Sequence, residues 1–251
     1  MATKDGKLFH ARDSRAVLRE IFNQRDSNLE FLSLAELDIA DARSTSLCHK
    51  REETLAFNLA GPASVFVDGT EYRMEHYDVL YIPKGAEYFV EAGAEPAHLY
   101  LYRALAENVH PVQLRRWKDL KDDPSRIRLL TRKKVHLMFD VAERADKFMA
   151  GYTFYEDRSR AWPPHNHTDQ EECYSFIEGS GAMQVYEDDE KLTFVKGVEV
   201  GSHVTIPLLN YHPVFSHEEP LCFIWCIAGE RYWVGDKNKS FMDGTAKKVT
   251  T

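Results

Sequence analysis

No apolar run in the 251 residues is long enough to cross a bilayer as a helix, and the opening stretch MATKDGKLFHARD has no apolar segment of the secretory type. A membrane partner is therefore not expected, and the chain reads as cytoplasmic. Basic residues are in the minority, 32 Lys and Arg against 40 Asp and Glu, for a formal net charge of -8. Phosphate backbones need a clustered basic surface, so nucleic acid is not expected as a ligand. Cysteine is scarce: Cys48, Cys173, Cys222 and Cys226 form no CxxC pair, which suits reduced thiols packed in strands as small apolar groups. A metal role for Cys222 and Cys226 is the minor alternative. Low-complexity tracts are absent as well, and 43% hydrophobic with 29% charged residues describes a globular chain.

What is present is mostly strand. Short runs rich in Val, Phe, Tyr and Leu, such as ASVFVDGTEYRM, HYDVLYIPKG, AEYFVEAG and AHLYLYRAL, alternate with glycine turns, and Asp68-Gly69 is the clearest hairpin signal. Before them, DSRAVLREIFNQ places Val17, Leu18, Ile21 and Phe22 at helical spacing behind an Asp or Ser cap, predicting a short helix from Asp13 to about Gln24. A charged stretch, PVQLRRWKDLKDDPSRIRLLTRKK, separates this unit from a second strand series that begins with VHLMFDV. The chain thus divides into a first β unit over 1–112, a charged linker with a helical turn over 113–135, and a second β unit over 136–251.

The second unit carries the chemistry. In PPHNHTDQEECYSFIEGSG, His165 and His167 are one residue apart and share a face of an extended strand, while Glu172 opens a following run that a hairpin can bring to the same pocket. Imidazole nitrogens with one carboxylate suit zinc, manganese, iron, nickel or copper, and suit calcium and magnesium poorly. A further histidine, His212, ends the segment GSHVTIPLLNYH.

The spacing HxH, four residues, Glu, six residues, Gly179, followed by Gly201, five residues, Pro207 and a His five residues on, resembles the two-part signature of the cupin superfamily. Leu209 stands where that signature usually has glycine. The resemblance implies an all-β bicupin: two tandem double-stranded β-helix (jelly-roll) barrels, here with a short N-terminal helix, and a metal in the mouth of a barrel. The two halves can be aligned on the same landmarks. Gly61 falls on Gly179 and Pro83 on Pro207, which puts Leu47 and His49 at the two histidines, Thr54 at Glu172 and Tyr88 at His212. One imidazole cannot hold an ion specifically, so the first barrel is expected to be metal-free.

A narrower resemblance covers roughly Arg51 to Trp233. REETLAFNLAGPASVFVDGTEYRMEHYDVLYIPKGAEYFV is similar to the first barrel of 5-keto-4-deoxyuronate isomerase, whereas WPPHNH, EECYSFI, NYHPVF and FIWCIAGERYW are more like 5-deoxy-glucuronate isomerase. Those enzymes form one bicupin family. It implies a metal-dependent aldose-ketose isomerase of a deoxy-uronate sugar acid, with 5-deoxy-glucuronate favoured and 5-keto-4-deoxyuronate the alternative. It also implies His165, His167, Glu172 and His212 as ligands of a divalent ion, zinc first and manganese, iron or nickel after it, and a homo-oligomer. A cupin dioxygenase and a noncatalytic sugar-binding bicupin are the competing classes.

Enediol chemistry asks for a base, and Glu171, Tyr174, Tyr186 and His203 are the candidates. Strand alternation turns Glu172, Tyr174 and Phe176 to one face and Glu171 to the other, which favours Tyr174 as the polar group of the pocket. A substrate carboxylate asks for a cation, and Arg160, Arg231 and Lys84 are the candidates.

Overall fold

The computed structural model describes residues 6–10, 18–40, 43–159, 165–188 and 191–232. Its strands form four antiparallel sheets, a large and a small one for each half of the chain. In the first half, Gln113–Arg115, Val79–Ile82, Glu52–Ala60, Ala97–Leu105, Leu32–Ile39 and Leu18–Phe22 lie side by side in that order. They face the small sheet of Leu47–Cys48, Glu87–Ala92, Ala63–Val67 and Thr70–Met74. The second half repeats the plan, with Leu8–His10, Ser202–Ile206, Gln170–Glu178, Leu221–Gly229, Phe148–Tyr155, Lys133–Phe139 and Ile127–Leu130 in the large sheet. Lys191–Glu199, Ser180–Asp188 and Val214–Ser216 make its small sheet. This is a bicupin.

Period-two alternation sorts the side chains of each large sheet into two cores. One face fills its own barrel: Leu99 and Leu101 in the first, packed with Val65 and Val90 of the small sheet, and Tyr174, Phe176 and Phe223 in the second, packed with Met183 of the small sheet. The other faces pack the two barrels together through Phe57, Tyr102, Tyr152, Cys173, Ile224 and their neighbours. The duplication extends to the backbone. Gly61 and Gly179 both have positive φ, 64° and 71°, and a Cβ on either would lie 2.1 or 2.0 Å from a proline carbonyl oxygen, that of Pro96 or Pro220. Only glycine fits there. The Asp68-Gly69 turn forms as its sequence signals, both residues left-handed between paired Val67 and Thr70.

Two buried carboxylates at equivalent positions join the halves. Glu53 accepts backbone N–H bonds from Asp146 (2.9 Å) and Lys147 (2.7 Å) of the second half. Glu171 accepts three, from Glu30, Phe31 and Leu32 of the first half, at 2.6 to 2.7 Å. Each therefore caps the backbone leading into a strand of the other barrel, satisfying donors that burial would otherwise leave unpaired.

Four expectations change. The N-terminal helix is not formed where it can be described: Leu18–Phe22 is a strand paired with Leu32–Ile39, and residues 11–17 lie outside the described residues. Leu18 and Phe22 share a face in either period, the strand's register shifts between Glu20 and Phe22, and the open edge of Leu32–Ile39 decides for strand by offering backbone partners. The stretch 113–135 keeps its helical turn, Trp117–Leu120, but its ends are sheet strands: Gln113–Arg115 pairs with the first barrel and Ile127–Leu130 with the second. Leu8–His10, assigned by order to the first unit, pairs instead with Ser202–Val204 of the second. Of the cysteines, Cys173, Cys222 and Cys226 are buried between the barrels, while Cys48 is exposed rather than packed.

Candidate metal centre

His165, His167, Glu172 and His212 converge at one end of the second barrel, each offering a ligand atom within 4.8 Å of the others. Glu172 is placed by its strand, paired with Ile227 on one side and Ile206 on the other, and it faces the lumen with Tyr174 and Phe176. His212 follows the turn after Ser202–Ile206. In that turn Leu209 adopts φ 68°, a left-handed conformation that costs a branched residue about 1 kcal/mol. The turn holds it all the same, because its N–H donates to the His167 carbonyl (2.7 Å) and its own carbonyl accepts from the Asn166 side chain (3.2 Å). These two bonds tie the His165–His167 segment to the segment that bears His212.

The hydrogen bonds around the rings fix where their protons lie. The Gln170 amide donates to the carbonyls of Glu230 and Tyr232, so its oxygen is left as an acceptor, and it lies 3.0 Å from His167 Nδ1. His212 Nδ1 lies 3.0 Å from the Asn210 carbonyl, which can only accept. Both rings therefore carry their proton on Nδ1 and turn Nε2 inward. His167 Nε2 and His212 Nε2 stand 3.2 and 3.1 Å from Glu172 Oε2, and His212 Nε2 has no hydrogen bond although it is buried. Two imidazole lone pairs and a carboxylate, with about 4% exposure at most among His167, Glu172 and His212, repel one another unless positive charge sits between them. A divalent ion fits that demand, and the anchored Nδ1 groups are the outer hydrogen bonds that metal-binding histidines use. Burial pushes the Glu172 carboxyl up, and it is brought down to about 2 where His167 and His212 donate to it and carry positive charge; with both Nε2 atoms bare, an ion between them would supply that charge instead.

Tyr174 lies beside the cluster, its ring 5.5 Å from His212 and stacked at 4.4 Å on Phe223. Burial, reinforced by the Glu172 charge, pushes its phenol well above the ordinary tyrosine value. It is protonated at neutral pH and can donate a proton or hydrogen bond, which is not the role of a resting base.

The other candidates are elsewhere. Glu171 faces away from the lumen, with both oxygens engaged by the backbone of the first half. His203 also faces the other barrel, its Nδ1 2.7 Å from Ser175 Oγ, and Tyr186 stacks on Tyr211 at 5.3 Å. Lys84 belongs to the first barrel and donates to the carbonyls of Ala106 and Glu107. Arg231 donates to the carbonyls of Phe148, Ala145 and Asp140, which consume the fork needed to grip a carboxylate. Arg160 lies outside the described residues. Cys222 and Cys226 sit in the inter-barrel core, and burial raises their thiols well above the usual range, the opposite of a metal-ligating thiolate.

Gln170 is the residue that sequence reasoning missed. Its signal was present as a His-x-x-Gln spacing at the start of the strand, with polar Gln170 only 1% exposed in the fold. At the matching place in the first barrel, His49 lies 6.0 Å from Tyr88, and Tyr88 and Thr54 are buried. Nearby, the Arg103 guanidinium donates to both oxygens of Glu20. Among the described residues one further group of donors converges, Glu36, Asp38 and His98, but Arg19 pairs with Glu36 and supplies the cation there.

Comparison with known proteins places this geometry. Solved structures of the same architecture include an IolB-like protein from Salmonella typhimurium LT2, with a TM-score of 0.78 at 19% identity over 96% of this chain and 99% of that one. They also include the oxalate decarboxylase of Lactobacillus farciminis, at 0.73 and 13% over 100% and 95%. These likenesses show a shared bicupin fold. The profile of the KduI/IolB family matches residues 8–243, and the chain belongs to that family. Among curated relatives, the 4-deoxy-L-threo-5-hexosulose-uronate ketol-isomerases of Bacillus pumilus and Bacillus licheniformis are 26% and 27% identical, over 94% and 91% of this chain and 86% and 83% of theirs.

Proposed function

We propose that the protein is a metal-dependent ketol-isomerase of a deoxy-uronate, acting on 4-deoxy-L-threo-5-hexosulose uronate. The observation that carries the reading is the buried set of two Nε2 lone pairs and an ionised carboxylate facing each other beside a protonated tyrosine. The donor set His165, His167, Glu172 and His212 would hold one divalent transition ion, zinc first, with manganese, iron or nickel served by the same atoms. Such an ion supplies Lewis acidity to a carbonyl of the bound sugar. The chain's residues do the rest. Gln170 and the Asn210 carbonyl keep both rings in one tautomer, and the apolar wall of Phe176, Phe223 and Val204 below the cluster excludes water. Tyr174 would give its proton to the carbonyl oxygen of the substrate and regain one from the neighbouring hydroxyl, so the phenol ends as it began, while a base carries the carbon-bound proton between the two carbons. Isomerisation of this kind consumes no oxidant, which separates it from the oxygen-using cupins.

The curated relatives support this substrate over 5-deoxy-glucuronate, which the segments around the metal motif had favoured. Incubation of the zinc- or manganese-loaded protein with each compound in deuterated water, followed by proton NMR, tests the choice. The reading expects conversion of the hexosulose uronate with deuterium entering next to the carbonyl. Conversion of 5-deoxy-glucuronate alone reverses the substrate, and no conversion of either defeats the isomerase reading. A homo-oligomer is part of the same proposal and is read by sedimentation of the loaded protein.

A further inference from the structure

We propose that the N-terminal segment from Gly6 to His10 is a removable side wall of the metal centre, and that its opening sets how fast an ion enters and leaves. The inference rests on the metal reading of the four-residue cluster. Leu8–His10 pairs with Ser202–Val204, Leu8 opposite Val204 and His10 opposite Ser202. Two bonds extend the pairing toward the cluster: the Thr205 N–H donates to the Lys7 carbonyl (2.9 Å), and the Lys7 N–H donates to Thr205 Oγ1 (2.9 Å). One residue further, Gly6 reaches the level of Ile206, which pairs with Glu172 across the sheet. On its other side Gly6 meets the small sheet. A Cβ there would lie 2.7 Å from the Thr205 carbonyl oxygen and 3.2 Å from Val185 Cγ1, so a residue without a side chain closes the approach. Val185 stands at the level of His212, because Met183 pairs with Val214 and Tyr186 with Tyr211. Gly6 thus bridges the two sheets beside two of the four ligands.

His167, Glu172 and His212 are buried and His165 is half-buried, so the cluster is open to solvent on the His165 side. Water or a chelator reaches the buried three where a wall gives way. Leu8–His10 is held lightly. It is an edge strand of three residues with one partner, whereas Gln170–Glu178, which carries Glu172, is paired along both sides. Its packing is partial as well: Leu8 lies against the core of the second barrel and Phe9 against Phe22 at 5.2 Å, each half-buried. Short edges near a chain terminus open at a free energy far below that of global unfolding. Opening here bares the Ser202–Ile206 edge and Val185, and with them the Glu172 and His212 side of the cluster, while the ligands stay in place. Such a gate speeds entry and exit together and leaves the affinity unchanged.

The test follows zinc leaving the loaded protein for an excess of chromophoric chelator, and zinc entering the metal-free protein, both by stopped flow. Gly6→Val keeps the whole chain but cannot close against Thr205 and Val185, and it should speed release and uptake about tenfold each while the zinc Kd stays within about threefold. Thr205→Val is the milder second variant, since it removes the acceptor of the Lys7 N–H at nearly constant volume, and it should raise both rates by a smaller factor. Circular dichroism confirms that each variant is folded. Release rates within about twofold of the unaltered protein in both variants overturn the gate. Faster release with unchanged uptake overturns it too, because that result describes a looser site rather than a freer path. Protein that takes up no zinc at all defeats the metal reading and the gate with it, whereas zinc held and exchanged at one rate in all three proteins defeats the gate alone.

Discussion

Replacing Gln170 by leucine tests the tautomer argument without touching a ligand. The leucine removes the acceptor that holds the proton of His167 on Nδ1, so the ring loses both its orientation and its fixed Nε2 lone pair. Loss of an outer hydrogen bond of this kind costs about 10- to 100-fold in metal affinity, or roughly 1.4–2.8 kcal/mol. The substitution also strands the carbonyls of Glu230 and Tyr232, at about 1–3 kcal/mol for each that stays dry. Stability and metal affinity are therefore measured apart, by thermal melting of metal-free protein and by competition with a chromophoric zinc chelator. Gln170→Glu serves as the control, because its carboxylate still accepts from Nδ1, and it should keep most of the affinity that Gln170→Leu loses. A zinc Kd for Gln170→Leu within about threefold of the unaltered protein, in folded material, refutes the claim that this bond orients a ligand.

Three further outcomes are expected. His165→Ala or His212→Ala should lose metal and turnover together with the far-ultraviolet circular dichroism unchanged, whereas His49→Ala should leave metal content as it was. Leu209→Gly should be neutral or more stable by up to about 1 kcal/mol in urea melts, since relief of the left-handed leucine is offset by glycine's greater chain entropy. A destabilised Leu209→Gly protein would show instead that the leucine side chain holds the turn. Asp146 is drawn up by burial, but the N–H groups of Asn108 and Glu107, the Asn108 amide and His110 outweigh this and hold its carboxyl below the ordinary range. A folded pKa below the unfolded value of about 3.9 stabilises the fold above pH 4, and that stability is lost as pH falls toward the folded pKa. Asp146→Asn should therefore lower stability at pH 7, with the gap to the unaltered protein closing in acid melts below pH 4.

The fold and the convergence of His165, His167, Glu172 and His212 were legible because both rest on local spacing. Strand alternation put Glu172, Tyr174 and Phe176 on one face, and glycine at 61 and 179 marks a backbone approach that admits no side chain. What failed depended on partners distant in the chain. Leu18–Phe22 became a strand because another strand's edge was open, and Leu8–His10 joined a barrel almost two hundred residues away. Glu171 reads as a site carboxylate beside Glu172 until the backbone of Glu30 to Leu32 is seen to claim it. Arg231 and Lys84 are cations near recognisable segments, and only the fold shows carbonyls already occupying them. Gln170 was hidden for the opposite reason, since an amide reads as surface until its burial and its three partners are known.

The central claim is that one ion held by His165, His167, Glu172 and His212 is required for isomerisation. Its most direct test is titration of metal-free protein with zinc or manganese, following bound metal by mass spectrometry and turnover of 4-deoxy-L-threo-5-hexosulose uronate in the same samples. The account predicts no turnover without metal and a linear rise that ends at one ion per chain. Full turnover in metal-free protein, or a rise that continues to two ions per chain, would contradict it.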